Sequence, residues 1–595
     1  MPAGLYSPLL LLVQAGWLLA PGLVAGAELA RRDLIARYLV VPVAGVVGAV
    51  LSYAAVWIYL ASRTAGETYS YLTAVLAVAG VALLVLRPRY RALLGSVDVA
   101  APLILLYLVT LFLVTATFGC TVRPVLNDLN EACHLTGLTG DNVLPQFFAD
   151  NVLSGHPRTP IWDWQASARP PLQSGAVLMQ TPVTGPGQFH LLGYQTLAVL
   201  LQVLCLPAVW ALLRVLRLSG YRLVAVLTMF MFTGFFVYNS VFVWPKLLAA
   251  AMTLTAFALL FYGRPARSMW ALAGVAAGAG LVAHAGVAFT LLPMGLLLLW
   301  RLPSWRHAGL AAAGALALQA PWTAYQRIVD PPGDQLLKWH FAGVWQPASG
   351  PDRRSLGETV ADSYGDLSLG EILHHKWTNF STLFGDRLHG PHLAGPGPLG
   401  ILRAEEMFFV LFGLGVCNLA LVPLLVPALR RRLSLVLDVA SLKPMAAVAG
   451  LTLVIWPLVL FGPGDPGTSP TIFQGSYAMM ALLFVVLGAV LTVLPRLATT
   501  ALVVVNVTWT TTLWVVLVWA GHHAHWSYLM LSGASWLAVL AFLWCTARWL
   551  DVPVKVPAQA RTAVVSPAPA AGQVTRRRIV WSTQRDPGRR RPLRR

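Results

Sequence analysis

The chain has 595 residues, 57% of them hydrophobic and only 11% charged, with 42 Lys and Arg against 23 Asp and Glu and a formal net charge of +19. Its mean hydropathy is +0.68. So little charge could not cover the surface of a water-soluble globule of this length, which excludes that class. Repeated apolar runs near the ~20 residues that cross a bilayer point instead to an all-α polytopic membrane protein.

In chain order, the first apolar run, Leu5 to Ala30, lacks a basic leading segment and is followed by Arg31 and Arg32. It reads as a first span with its N-terminus outside, not as a cleaved signal. Spans are expected at 5–29, 38–62, 70–87, 99–118, 189–213, 223–241, 245–263, 269–283, 285–300, 308–322, 406–429, 445–461, 475–494, 499–520 and 527–547, fifteen in all. The stretch 269–300 is too long for one span and too short for two full ones. Arg264 and Arg267 precede it and Arg301 and Arg306 follow it. Both flanks favour the cytoplasm, so a hairpin of two short helices with its tip near His284 is expected. This topology puts Lys and Arg mostly in short inside loops, such as Arg87, Arg89 and Arg91 or Arg430, Arg431 and Arg432, and puts the C-terminus in the cytoplasm.

The basic tail, 549–595, has no apolar periodicity and is expected to be disordered. Its runs "RRR" (576–578) and "RRRPLRR" (589–595) suit anionic lipid headgroups, or simply water. The net charge is therefore topological bias plus a tail, and no nucleic-acid partner is expected. Cys205, Cys417 and Cys545 fall in expected spans and act as small apolar residues. Cys120 and Cys133 flank the start of a long outside loop, where an oxidising compartment would allow a disulfide.

Two outside loops, 119–188 and 323–405, are too long to be mere connectors. The first contains "TGDNVLPQFFADNVLSG" (139–155). Leu144, Phe147, Phe148 and Val152 recur at helical spacing, with Gln146, Asp150 and Asn151 off that face. A short helix lying flat at the membrane interface is expected. Asp141 and Asn142 stand just ahead of it. Asp141 suits either a helix cap or chemistry, and position alone does not separate the two. In "DWQASARPPLQSG" (163–175), Pro170 and Pro171 hold the backbone after Arg169 extended, and "LQSGAVLMQ" again looks interfacial. In "NSVFVWPKLLAAA", Lys246 opens a span on the outside face, where a lysine either snorkels to headgroups or meets an anion.

This layout, an acidic doublet, a flat helix, an Arg-Pro-Pro segment and a second flat helix in one outside loop, resembles the GT-C glycosyltransferases, nearest the protein O-mannosyltransferase and lipid A aminoarabinose transferase branch. "WALAGVAAGAGLVAHAGVAFTLLPMGLLLLWR" (270–301) is similar to the family's paired short helices. "LALQAPWTAYQRIVDPPGDQLLKW" (316–339) is similar to its span that ends in Pro-Trp and opens the second loop. The resemblance covers about 99 to 400. It implies a catalytic core with short interfacial helices at 99–404; three extra N-terminal spans in 1–98 precede that core, a departure from the family, and further spans at 405–548 and the tail at 549–595 follow it. The doublet is Asp-Asn where two acids are common in the family, so a divalent metal is not favoured. His284 stands where a lysine is frequent.

The resemblance implies a polyprenyl-phosphate sugar as donor and a glycan, lipid or protein as acceptor. The chemistry fits independently, because a phosphate leaves as an anion and needs no protonating acid, unlike the leaving group of a glycosidase. One base and a pair of cations suffice. Asp141 would be the base, Arg169 and Lys246 the phosphate partners, and Asn142 would orient acceptor or sugar. A single displacement inverts the anomeric centre.

The second loop holds "DPPGDQLLKWHF", "GDLSLGEILHHKWTNF" and "GDRLHGPHL", rich in the Trp, His and Asp that suit sugars. Leu367, Leu369, Ile372 and Leu373 suggest another amphipathic helix. His374 and His375 are adjacent and so diverge on a helix, and "GHHAHW" (521–526) reads more simply as interfacial polar residues than as a metal site. Asp163, His284, Gln474 and Tyr477 are expected to line the cavity, the last two beside Asp465 in the short loop 462–480. Other classes stay open: a transporter or flippase, a polymerase or ligase of lipid-linked glycans, or a membrane scaffold. The spans hold almost no ionisable residues and no matching halves, which argues against a transporter. The Ala-, Gly- and Arg-rich composition suggests a bacterial plasma membrane.

Overall fold

The computed structural model describes residues 3–119, 140–185, 190–344, 350, 354–385, 397–462, 476–520 and 525–550. The described residues are helical, with one isolated antiparallel bridge between Ile161 and Trp164. They belong to one compact unit, Met1–Val552. The tail from Asp551 onward, Cys120, Cys133, Asp465, Gln474, His522 and His523 lie outside the described residues.

Among the described residues, eight helices are long and apolar enough to cross a membrane: Tyr6–Arg31, Arg37–Ala61, Arg63–Leu86, Val97–Phe118, His190–Val215, Val439–Val459, Arg496–Trp519 and Trp526–Trp549. Gly220–Met231 and Gly234–Val241 form a pair bent by 59°. Thr233 makes the bend, its hydroxyl accepting the Phe236 N–H at 3.1 Å to start the second segment. Shorter apolar helices run over Lys246–Tyr262, Arg267–Ala283, Ala285–Leu299, Gly415–Leu425 and Tyr477–Leu491.

Helices thus occupy the expected stretches, but two expectations change. The stretch 406–429 is not one continuous helix. It breaks into Gly397–Phe408, Val410–Gly413, Gly415–Ala420 and Leu421–Leu425. Gly415 sits at φ +51, a left-handed conformation that ends a helix. Just upstream, the buried Glu406 carboxylate accepts from the indoles of Trp509 (2.6 Å) and Trp514 (2.7 Å). That contact fixes the first piece against a distant helix. The chain does break at His284, as expected, but its two flanking helices do not stay together. Arg267–Ala283 packs against Lys246–Tyr262 and Trp305–Ala324, while Ala288–Leu299 packs against Val439–Val459.

Small residues bring the helices close. A Cβ at Gly278 would lie 2.7 Å from the Ala315 carbonyl, and one at Gly274 would clash with that of Ala311, so Arg267–Ala283 and Trp305–Ala324 touch backbone to backbone. Charge is used sparingly and in pairs. Arg214 Nε lies 2.7 Å from Asp98 Oδ1, both side chains nearly buried, joining Val97–Phe118 to Cys205–Val215.

The two long loops are laced together. Gln165 donates its side-chain amide to the Pro331 carbonyl at 2.9 Å, and Gln326 donates to the Ser167 carbonyl at 2.8 Å. Ser167 N–H donates to Asp330 Oδ2 at 2.9 Å, and Gln335 donates to the Asp163 carbonyl at 3.0 Å. These bonds hold the segment before Arg169 as firmly as a strand would be held in a sheet.

Candidate functional site

The helix expected after the acid-amide doublet forms at Leu144–Leu153. Its buried face carries Leu144, Phe148, Ala149 and Val152, but Gln146 joins that face and Phe147 leaves it. The face does not rest on lipid. Phe148 meets Trp322 edge-on with centroids 5.9 Å apart, and the helix packs on Leu172–Met179. The second helix expected at the interface, Leu172–Met179, is buried along its whole length and packs on Val40–Ala61. Its one long polar side chain, Gln173, finds partners inside the protein, which removes the need for water.

Asp141 and Asn142 lie in a single tight turn, Gly140–Asn142. The helix N-cap is Val143, with no side-chain cap, so Asp141 does not serve there. Its Oδ1 lies 2.8 Å from an Arg169 terminal nitrogen, both side chains mostly buried. The Arg169 guanidinium lies over the Trp164 ring at 4.3 Å and faces Trp244 at 5.7 Å. Its Nε is buried with no hydrogen-bond partner.

Lys246 opens the helix Lys246–Tyr262 and is 1% exposed. It does not snorkel. Its Nζ lies 3.7 Å from the Trp244 ring centre and 4.9 Å from that of Tyr477, with no hydrogen-bond partner, and within electrostatic reach of Asp141 and Arg169. The positive end of that helix points the same way. Val243, just before, sits at φ +51, costly for a β-branched residue by about 1–3 kcal/mol. Gln173 holds it by donating to its carbonyl at 2.9 Å.

A buried network lies beneath. Gln173 also donates to Tyr194 Oη at 3.0 Å, and Tyr194 donates to the Asn142 carbonyl at 2.5 Å. Gln202 donates to Gln173 Oε1 at 3.0 Å while its own Oε1 accepts the Leu248 N–H at 3.0 Å. One chain of bonds therefore fixes the turn of Asp141 and the start of the Lys246 helix. The Asn142 side chain is fully buried, and neither its oxygen nor its nitrogen has a partner.

The remaining expected residues divide. His284 joins the buried cluster, its ring edge-on to Trp244 at 5.9 Å and its Nδ1 accepting the Gly286 N–H at 3.0 Å. Tyr477 joins too, its hydroxyl donating to Asn239 Oδ1 at 2.8 Å. Asp163 is exposed at the tip of the Ile161–Trp164 turn, outside the cluster. Gln474 lies outside the described residues. Reasoning from sequence missed Trp164 and Trp244 as the partners of the two cations. The signal was present, as each Trp stands a few residues ahead of its cation in a quoted segment. It also missed Gln173, Tyr194 and Gln202, which no spacing marks.

Among the described residues no three His, Cys, Asp or Glu side chains gather as a metal site requires. In the second loop the amphipathic helix forms at Leu369–Ser381, and the His375 ring lies against Phe461 at 5.3 Å. No family model, no curated protein and no solved structure matches this chain.

Proposed function

We propose that the protein is a membrane glycosyltransferase. It moves a sugar from a polyprenyl-phosphate donor to an acceptor on the outer face of a plasma membrane. The topology is the fifteen-span one with its N-terminus outside and its C-terminus in the cytoplasm, and the core is GT-C-like. The observation that carries this reading is a pair of buried cationic donors, Arg169 Nε and Lys246 Nζ, left without hydrogen-bond partners beside a carboxylate. Buried donors are ordinarily satisfied, and buried charge ordinarily paired. Two cationic side chains, each with an unmet donor and grouped around Trp244, are what an anionic leaving group needs.

The acceptor hydroxyl gives its proton to Asp141 while its oxygen bonds to the anomeric carbon from the face opposite the phosphate. The bond from that carbon to the phosphate oxygen breaks, and its electron pair leaves with the polyprenyl phosphate. Arg169 Nε and Lys246 Nζ receive that charge. Arg169 already holds Asp141, so one guanidinium links base and leaving group and aligns the two ends of the displacement. Asn142, with both side-chain polar atoms open, orients the acceptor or a sugar hydroxyl.

The test is transfer of labelled sugar from a panel of polyprenyl-phosphate sugars by the full-length protein in lipid. Asp141→Asn should lower transfer by about 10²–10⁴-fold with the donor still bound. Donor binding without transfer in the unsubstituted protein would favour a transporter or flippase. Normal transfer by Asp141→Asn would overturn the base assignment.

A further inference from the structure

We infer that the acceptor is a glycan and that its sugar ring docks on Trp162, in a cleft that opens beside the reacting carboxylate. This rests on the glycosyltransferase reading and names its acceptor class.

Trp162 is 56% exposed, and what sets it apart from the other exposed indoles is its backbone and its place beside the Asp141 turn. The fold puts it there by force. Ile161 and Trp164 exchange backbone hydrogen bonds at 3.0 and 3.1 Å, which leaves Trp162 and Asp163 as the two central residues of a tight turn. Trp162 takes φ +53 in that turn, a conformation usually given to Gly, Asn or Asp. Its ring lies directly over Gly140, where a Cβ would collide with the indole. Gly140 is the residue before Asp141, so the platform touches the turn that carries the base.

The open cleft beside it is lined by Phe147, Asp150, Asn151, Pro160, Ile161 and Trp162 and offers about 260 Å³, just under the ~300–1,000 Å³ of sites that hold drug-sized ligands and suited to a single sugar ring. Phe147 meets Trp162 edge-on at 5.7 Å and steadies the ring. Polar groups stand ready at the rim. The Asp150 carboxylate is oriented by the Gln146 amide at 2.9 Å and remains partly exposed. Asn151 uses its amide nitrogen on the Thr159 carbonyl at 3.1 Å, and its oxygen can accept another bond. An aromatic face flanked by a carboxylate and an amide is the chemistry of a pyranose or furanose ring, apolar on one face and hydroxylated at its edge. The turn's neighbours His156, Arg158, Thr159 and Asp163 are exposed polar residues, so the indole stands within a polar rim, as a sugar site requires. Arg169 and Lys246, the phosphate partners, meet Trp244, whereas Trp162 meets Gly140 and Phe147, so donor and acceptor would use different contacts around the same carboxylate.

The experiment measures binding of a panel of soluble oligosaccharides to the full-length protein in lipid nanodiscs, without donor, beside transfer kinetics. The unsubstituted protein should bind one class of oligosaccharide. Trp162→Leu and Trp162→Ala should weaken that binding at least tenfold, and Trp162→Phe should restore most of it. In transfer, Trp162→Leu should raise the acceptor KM at least tenfold while the donor KM and kcat stay within threefold. If no donor supports transfer yet oligosaccharide binding depends on the Trp162 ring, the subsite stands and the glycosyltransferase reading falls. Oligosaccharide binding absent from the unsubstituted protein, or Trp162→Leu equal to it in binding and acceptor KM, would overturn the proposal, the latter because an apolar anchor needs no aromatic face.

Discussion

Two buried lysines divide the molecule into a part that waits and a part that holds. Lys246 is 1% exposed and its Nζ has no hydrogen-bond partner. Lys338, on Gln335–Ala342, is fully buried too, but its Nζ lies 3.2 Å from Asp334 Oδ1, and Asp334 Oδ2 takes Arg327 at 3.0 Å. The second arrangement is charge-paired. It joins the start of the helix that carries Trp339, whose ring packs at 6.0 Å from Trp164, to Arg327. The first is incomplete, held only between aromatic rings. Burying a charge without a counter-ion costs stability, and proteins keep such a charge where a ligand completes it.

The comparison breaks if the two lysines respond alike to substitution. Lys246→Met should lower transfer by about 10²–10³-fold, the loss seen when one donor to developing charge is removed. Thermal unfolding should show its stability unchanged or raised, because an unpaired charge has gone. A destabilised Lys246→Met protein would mean that the amine is structural. Lys338→Met should do the reverse and cost about 3–5 kcal/mol, since it strands Asp334 with only the half-exposed Arg327. Adding Asp334→Asn to Lys338→Met should return a large part of that loss, and additivity of the two would refute the pair.

A smaller effect separates charge from geometry at the cleft. Arg169→Lys keeps the charge but loses the planar fork that joins Asp141 to the leaving phosphate. Transfer should fall by about tenfold, with donor binding weakened less than by Arg169→Ala. The smallest effect lies far from the cleft. Lys376 donates to Tyr364 Oη at 2.6 Å and to the last carbonyls after Val439–Val459, and burial pulls its ammonium down to about 8 from 10.5. Between those values the docked helix Leu369–Ser381 binds fewer protons than the released one. Raising pH from 8 to 10.5 should therefore strengthen its docking, and below pH 8 the penalty is complete. Hydrogen exchange of residues 369–381 across that window measures it, and protection that falls with pH would contradict the assignment.

Much of this was legible in the order of residues. Hydropathy alone located the long helices, because a helix that meets lipid must be apolar over a fixed length. The break at His284 followed from paired cationic flanks. Of the residues marked for the site, Asp141, Asn142, Arg169, Lys246, His284 and Tyr477 fall in one cluster, Asp163 stays exposed outside it, and Gln474 lies outside the described residues. The helix Leu144–Leu153 was visible as a period, but its surroundings were not. Periodicity identifies an apolar face without saying whether lipid or protein covers it, and here Trp322 does.

What the sequence by itself determined is an all-helical chain with several membrane-length segments and a set of polar residues at their ends. Local spacing and composition suffice for that, since both act over a few turns of helix. Tertiary structure alone decided which polar groups are paired. Asp141 and Arg169 are 28 positions apart, Asn142 and Tyr194 are 52 apart, and Gln173 and Val243 are 70 apart. Nothing in the order of residues fixes such pairings. They arise when apolar helices pack and force each buried donor to find an acceptor or to remain open, and Lys246 is a place where the protein leaves one open.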